Sequence, residues 1–334
     1  MSKSYKVKDL KMGMFINITL PWYRHPYIRN SFRITSNEQI KNLLSNGINT
    51  VEVREESKVI SDKKTPLAKT FKKSKPLEKP KQNDSDLNQS IINEFQDVIT
   101  DKNLPATKKA QLVYKASMKL MVSLLEKPTA MNIKGFKDVT VHTVDVILSD
   151  ENTSNHLLGI TRHDFNTYTH SVNVGVLSIL LAKSLFAKSD KHDMHELGAG
   201  FFLHDIGKTR VDPSIINKKG KFTDEEMECM RVHPKEGYNI LAETNQLSEE
   251  SNIIVLQHHE RHDGTGYPYK RRGDGIHLYG RVCSIADVYD ALTSIRPYKK
   301  AFSSFDALRI MKDEMINHFT PELFEEFVKI HQKI

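Results

Sequence analysis

The chain has 334 residues, more than one compact domain normally holds, with 38% hydrophobic and 27% charged residues and a formal charge of +7. That mixture supports a sizeable core and leaves little room for long unstructured tracts. Two cysteines, Cys229 and Cys283, exclude a disulfide framework, and neither a signal-type leader nor a run of about 20 apolar residues is present, so a cytoplasmic protein with no membrane span is expected.

Residues 1–53 are predicted to form a small mixed α/β domain. VKDLKMGMFINI reads as a short strand pair around Met14 to Ile18. Thr35 and Glu38 have capping-box spacing, Ile40, Leu43 and Leu44 follow at helical intervals, and Gly47 marks the stop. Thr50 to Val53 alternates as a strand does. The block is small for an independent core and is expected to lean on another part of the chain. Residues 54–84 form a basic linker: between Arg54 and Asn83 ten Lys/Arg stand against four Asp/Glu, a net of +6, with three prolines. That composition suits a solvated segment. A basic tail gripping nucleic acid or acidic lipid is the alternative, disfavoured because Phe71 is the lone aromatic residue in the segment.

From residue 85 onward the spacing is helical nearly throughout, giving connecting helices over 85–137 and a helical bundle over 138–334. Helices are predicted near 86–101, 106–126, 138–150, 165–187, 194–206, 224–243, 250–260, 281–294, 303–317 and 321–333. Loops such as GKTRVDP and HDGTGYPYKRRGDG separate them. The fold class is mainly α.

Eleven of the fifteen histidines fall between His156 and His277, close to aspartates, which is the usual setting of metal chemistry. Leu197, Phe201 and Phe202 make the helix around GAGFFLHDIGK a core helix, with His204 and Asp205 near its end and Gly207 as a natural terminator. A buried His–Asp pair is costly unless something partners it. A divalent cation would satisfy both groups; an ion pair capping the bundle is the plain alternative. His170 lies on a helix with Val174, Leu177, Ile179 and Leu180, and His233 follows Met227 and Met230 on a stripe read as core-facing. NIIVLQHHERHDGTGYP delivers His258 and His259 at a helix C-terminus, and Asp287 shares a face with Cys283 and Ala291. Five histidines and two aspartates spread over five helices match the way bundles build two-metal sites, from side chains projecting inward.

This order of ligands, the loop HHERHDGTGYP and the tail IADVYDALTSIRPYK resemble the HD-GYP family of the HD phosphohydrolase superfamily, from about Val139 to the C-terminus. The N-terminal block, with MGMFI, WYRHPYIRN and FRITSNEQIKNL, resembles the uncharacterised domain that often precedes HD-GYP domains in bacterial proteins. The resemblance implies a helical-bundle metallohydrolase that opens cyclic di-GMP to pGpG, in some members on to GMP, in second-messenger signalling. Some members act instead on cyclic GMP-AMP, and a degenerate member would be a non-catalytic dinucleotide receptor or partner-binding module.

Carried over by motif, one metal falls to His170, His204, Asp205 and Asp287, and a second to His233, His258 and His259 with Asp205 bridging. Two divalent ions about 3.5–4 Å apart can lower the pKa of a shared water and hold a phosphate for in-line attack. Histidine-rich sites with carboxylates suit iron or manganese. Asp205 and Lys208 are the implied catalytic pair. Lys208, Arg296 and Lys299 are implied to bind the substrate phosphate. Asp290 is implied to orient a ligand. Asp263, Gly264, Gly266, Tyr267 and Pro268 form the signature loop, its glycines allowing positive φ and its tip open to protein partners. Some relatives recruit a third metal through a glutamate four residues before the first ligand histidine. Here that position is Asn166, Asp164 being the nearest carboxylate, so a binuclear site is expected.

Overall fold

A computed structural model describes residues 2–18, 31–34, 36–45, 47–54, 101, 103–161, 167–218, 220–295 and 301–332. The chain divides into two compact units, Met1–Pro76 and Leu77–Ile334, each taken by itself below.

The first unit is a four-stranded antiparallel sheet with one helix. Its strands are β1 (Ser2–Lys6), β2 (Phe15–Asn17), β3 (Ser31–Arg33) and β4 (Thr50–Arg54), in the order β1-β4-β2-β3, and helix α1 is Asn37–Ser45. In β4 the alternation is visible directly, with Val51 and Val53 buried and Glu52 half-exposed between them. These valines join Val7, Leu10, Ile16, Ile18, Ile34, Leu43 and Ile48 in one buried cluster, so the unit closes a core of its own where the sequence suggested dependence on another part. Strands β1 and β3 were not expected. Both lie at the edges of the sheet, pairing through backbone with no apolar stripe to betray them. The capping box is shifted by one residue from the expected Thr35 and Glu38. The Ser36 hydroxyl accepts from Gln39 N and Gln39 Oε1 from Ser36 N, both at 3.3 Å, because TSNEQ carries the motif spacing twice. Thr35 itself lies outside the described residues, as do the WYRHPYIRN stretch, nearly all of the basic segment and nearly all of the expected helix at 86–101.

The second unit is a helical bundle. Its elements are α2 (Ala106–Glu126), α3 (Ala130–Ser149), α4 (Glu151–Ile160), α5 (Thr167–Phe186), α6 (Met194–Phe202), a 3-10 turn (Ile206–Arg210), α7 (Pro213–Ile216), α8 (Asp224–Met230), α9 (His233–Thr244), α10 (Glu249–Gln257), α11 (Leu278–Thr293), α12 (Ser304–Glu314) and α13 (Pro321–His331). Helix α5 is the axial member, packed against α2, α6 and α11. Its Tyr168–Phe186 stretch reaches a mean hydropathy of 1.3 and is long and apolar enough to cross a membrane, yet 83% of it is buried inside the bundle. It is the core helix of this unit, and its polar residues His170, Asn173 and Ser178 face inward with the apolar ones.

Two departures from the sequence reading bear on the site. The single helix expected over 224–243 is broken at Arg231 and Val232. A capping box of Thr223 and Glu226 starts α8, and Pro234 in the first turn of α9 forbids a continuous helix through it. His233 is therefore buried because it opens α9, while Met227 and Met230, the supposed core stripe, are only half-buried. Second, α6 stops at Phe202, and Gly207 sits in the following 3-10 turn without the positive φ of a helix terminator. Its smallness serves a close crossing: a β-carbon there would collide with the His233 carbonyl oxygen and the Gly237 backbone. Helix α4, missed in the sequence, has only Leu157 and Leu158 as buried apolar residues and starts on an Asp150 cap.

The crossing of the 3-10 turn over α9 makes a testable statement about packing. Gly207→Ala is expected to lower unfolding stability by about 1–3 kcal/mol, seen as a fall in denaturant midpoint. Gly275→Ala, where a β-carbon meets open space, is expected to leave the midpoint in place. Equal midpoints for the two variants would contradict the close approach.

Candidate metal centre

The bundle brings its helix ends together. His170 comes from the first turn of α5, His204 and Asp205 from the turn after α6, His233 from the start of α9, His258 and His259 from the end of α10, and Asp287 from the middle of α11. All seven predicted residues converge. Two sets of ligand atoms lie within 4.8 Å of one another: Asp205, His233, His258 and His259 in one, and His170, His204 and Asp205 in the other. Asp205 belongs to both. Asp287 flanks them, with one carboxylate oxygen 3.0 Å from His170 Nε2 and the other 3.5 Å from His259 Nδ1.

The hydrogen positions follow from the partners. The Nδ1 atoms of His204, His233 and His258 face the carbonyl oxygens of Phe201, Met230 and Val255, each three residues earlier, at 3.0, 2.7 and 2.8 Å. A carbonyl oxygen only accepts, so each Nδ1 carries the hydrogen and a neutral ring presents a lone pair at Nε2. Burial lowers the pKa values of His233 and His258 and keeps them neutral. Their two Nε2 atoms nevertheless stand 3.2 Å apart. Asp205 Oδ1 joins them, 3.3 Å from His233 Nε2 and 3.8 Å from His258 Nε2, and is buried with no hydrogen-bond donor among the described residues. Three acceptor atoms thus face one another with no hydrogen between them, an arrangement that a cation relieves. The residues fit a divalent metal.

The second oxygen of Asp205 pairs with the Lys208 ammonium and lies 3.5 Å from His170 Nε2 and 3.4 Å from His204 Nε2. Burial alone would raise the Asp205 pKa, but Lys208 and His204 hold it well below the usual range. Burial likewise works against the Asp287 charge, and the His170 hydrogen bond, followed by the neighbouring His259 and His170 rings, overrides it. For His170, burial is outweighed by hydrogen bonds to Asp287 and Asp290, which push it up to about 9. Burial, then the neighbouring His258, holds His259 well below its ordinary value.

The signature loop wraps the α10 end of the cluster. The Tyr267 ring stacks on His259 with centroids 4.6 Å apart, and Tyr267 N donates to the His259 carbonyl at 3.1 Å. Gly264 has φ +80°, as the loop was expected to need, whereas Gly266 does not; a β-carbon on Gly266 would collide with the backbone of His259 and Arg261. Asp263 does not reach the metal cluster: it caps the turn through Thr265 N at 2.9 Å and lies 3.9 Å from His318. Pro268 follows Tyr267 and is half-buried. Buried Glu260, a residue whose role the sequence left unread, accepts from Tyr269 N at 2.7 Å and Arg271 N at 2.9 Å and so ties the loop down. Asp290 is fully buried and takes the His170 Nδ1 hydrogen at 2.7 Å. Sequence reasoning missed Asn173, which donates to Asp290 at 2.7 Å; a polar residue one turn after His170 on an otherwise apolar helix was the available signal. Arg296, Lys299, Asn166 and Asp164 lie outside the described residues.

Comparison with known proteins places this geometry. Residues 156–323 match the HD domain family, and residues 2–130 match a domain of unknown function, DUF3391. A cyclic di-GMP phosphodiesterase of Pseudomonas aeruginosa is 30% identical over 346 residues, covering 98% of this chain and 76% of that protein. A cyclic di-GMP phosphodiesterase of Thermotoga maritima is 32% identical over 66% of this chain and 57% of its own length. A 3'3'-cGAMP-specific phosphodiesterase of Vibrio cholerae is 37% identical over 37% of this chain and 24% of its own. The solved structure of an HDG"Y"P protein from Bdellovibrio bacteriovorus superposes with a TM-score of 0.63 over 99% of this chain and all of that one, at 15% identity, and so shares the fold. With the ligand pattern and the loop already in place, the chain belongs to the HD domain family of phosphohydrolases, in its HD-GYP branch, with a DUF3391 domain at its N-terminal end.

Proposed function

We propose that this chain is a cyclic-dinucleotide phosphodiesterase that opens cyclic di-GMP to pGpG with two divalent metal ions. The observation that carries the metal half of the reading is the meeting of His233 Nε2, His258 Nε2 and Asp205 Oδ1 without a hydrogen among them. The substrate half is supported by the named activities of the Pseudomonas and Thermotoga relatives. The Vibrio relative supports cyclic GMP-AMP as the second reading.

One metal would be held by His170, His204, Asp205 and Asp287, the other by His233, His258 and His259, with Asp205 between them. Iron or manganese suits this donor set better than magnesium. Bound there, the pair supplies Lewis acidity for a water and for the phosphate. The chain's own groups do the rest. Asp205 holds its negative charge between the two halves of the cluster, kept deprotonated by Lys208. The Lys208 ammonium, on the 3-10 turn, is placed to pass from Asp205 to a phosphate oxygen and to offset charge as the P–O bond breaks. Arg296 and Lys299 are assigned the same phosphate. Tyr267 fixes the His259 ring by stacking, and Glu260 holds the GYP lip around the entrance, where protein partners would meet it. Cys229 and Cys283 are both free, which suits a cytoplasmic location.

Incubating metal-replete protein with cyclic di-GMP and with cyclic GMP-AMP in separate reactions tests the substrate. Linear pGpG as the faster product supports the leading reading, and faster opening of cyclic GMP-AMP reverses it. Asp205→Asn is expected to lose turnover by at least 100-fold together with most of the bound metal; full activity would remove Asp205 from the mechanism. Lys208→Ala is expected to raise KM roughly tenfold or more with metal content intact, and loss of metal instead would make Lys208 a structural partner of Asp205.

The pKa shifts add a pH profile for metal-free protein. His170 keeps its proton up to about 9 against an ordinary 6.5, so its contribution to stability is full below pH 6.5 and lost as pH rises toward 9. His233, His258 and His259 are held below 6.5, so theirs is present above pH 6.5 and lost as pH falls under it. Stability of the metal-free protein is therefore expected to peak near pH 6.5 and decline on both sides, measured as thermal midpoint against pH. A flat profile from pH 5 to 9 would contradict these assignments.

A further inference from the structure

Behind His170 runs a chain of hydrogen bonds that ends outside the residues matching the HD domain. Tyr114, on α2, donates its hydroxyl hydrogen to Asn173 Oδ1 at 2.7 Å. Asn173 Nδ2 donates to Asp290 Oδ1 at 2.7 Å, and Asp290 Oδ2 accepts from His170 Nδ1 at 2.7 Å. Ser294 Oγ adds a second donor to Asp290 Oδ1 at 3.1 Å. Asn173 and Asp290 are wholly buried and His170 nearly so.

The direction of this chain is fixed by chemistry. A carboxylate only accepts, so Asn173 must turn its amide nitrogen toward Asp290 and its oxygen toward α2. An amide oxygen in a dry interior needs a donor, and the Tyr114 hydroxyl supplies it. Without that hydroxyl the Asn173 amide loses the contact that opposes a flip, and a flipped amide would aim its oxygen at the Asp290 carboxylate. Asp290 in turn decides which His170 nitrogen carries hydrogen. While it accepts from Nδ1, the Nε2 atom is the one that faces Asp287, Asp205 and His204.

We infer that Tyr114 and Asn173 are positioning residues for the metal ligand His170, and that through them α2 sets the metal affinity of the half-site that His170 serves. This rests on the reading of His170 as a ligand. Tyr114 falls within residues 2–130, matched by DUF3391, and His170 within residues 156–323, matched by the HD domain, so the relay crosses from one matched region to the other. A shift of α2 by a fraction of a hydrogen-bond length would be felt at the ligand. The hydroxyl's hydrogen bond goes to Asn173, not to a proposed metal ligand, which separates it from the catalytic groups.

The test uses Tyr114→Phe and Asn173→Asp in the full chain. Ser117→Ala is the control: Ser117 is also buried on α2, but its hydroxyl bonds Val113 O and approaches Thr143 instead of the relay. Manganese titration of metal-stripped protein is expected to show two sites in the parent. In Tyr114→Phe one of them is expected to weaken by roughly three- to tenfold while the other stays in place. Asn173→Asp, which sets a second carboxylate beside Asp290, is expected to weaken the same site further. A second readout needs no metal: the proton resonance of His170 Nδ1–H in histidine-labelled protein should shift and exchange faster in both variants and not in Ser117→Ala. Unchanged manganese affinity with an unmoved resonance overturns the relay, as does an equal response in Ser117→Ala. If the parent binds neither manganese nor iron, the proposed function fails, and the His170 resonance alone then decides whether the relay exists.

Discussion

The structure depends on a repulsion that it does not itself remove. Three helix-end histidines give their Nδ1 hydrogens to carbonyl oxygens three residues back, the very groups that a helix terminus leaves without partners. That local bond costs the chain nothing in design, yet it forces each Nε2 lone pair in one direction. When the bundle closes, two of those lone pairs meet at 3.2 Å beside a buried carboxylate oxygen. Packing apolar helices around such a knot is unfavourable unless positive charge enters it. The apolar core, from Phe201 and Phe202 on α6 to Ile254 and Val255 on α10, therefore does more than hold helices together. It holds acceptors in place against their mutual repulsion and so prepares a site for cations.

Around this knot the supporting bonds are graded. Asp290 and Asn173 orient His170 from behind, Lys208 neutralises one face of Asp205, and Tyr267 closes the ring of His259 from the solvent side. Between them they act on three different proposed ligands, His170, Asp205 and His259. The two halves also differ in protonation: the His170 side carries a proton held by carboxylates, while the His233 and His258 side is neutral by burial. Under the proposed reading, a metal held there would displace a proton on one side only.

Much of this was legible in the sequence, for physical reasons that differ by residue. His204 and Asp205 stood out because a charged pair follows an apolar helix face, and His258 and His259 because two imidazoles end another. His233 is buried as expected but for a different reason: the Met227 and Met230 stripe is half-exposed, and Pro234 breaks the helix that the stripe presumed. Gly207 was read as a terminator when its smallness answers a backbone crossing, a contact between segments that no local pattern encodes. Asn173, Glu260 and Tyr114 were missed for a related reason. Their importance lies in partners 117, 9 and 59 residues away in sequence, and a single polar side chain on a helix gives no sign of what it faces. Edge strands β1 and β3 escaped because backbone pairing leaves no mark on composition.

The most direct measurement is X-ray diffraction from metal-loaded crystals at the manganese and iron absorption edges. Two anomalous peaks on either side of the Asp205 carboxylate, one beside the His233 and His258 Nε2 atoms and one beside His170 and His204, are the result this account requires. A cluster free of anomalous signal in protein that retains its fold and its phosphodiesterase activity would contradict it.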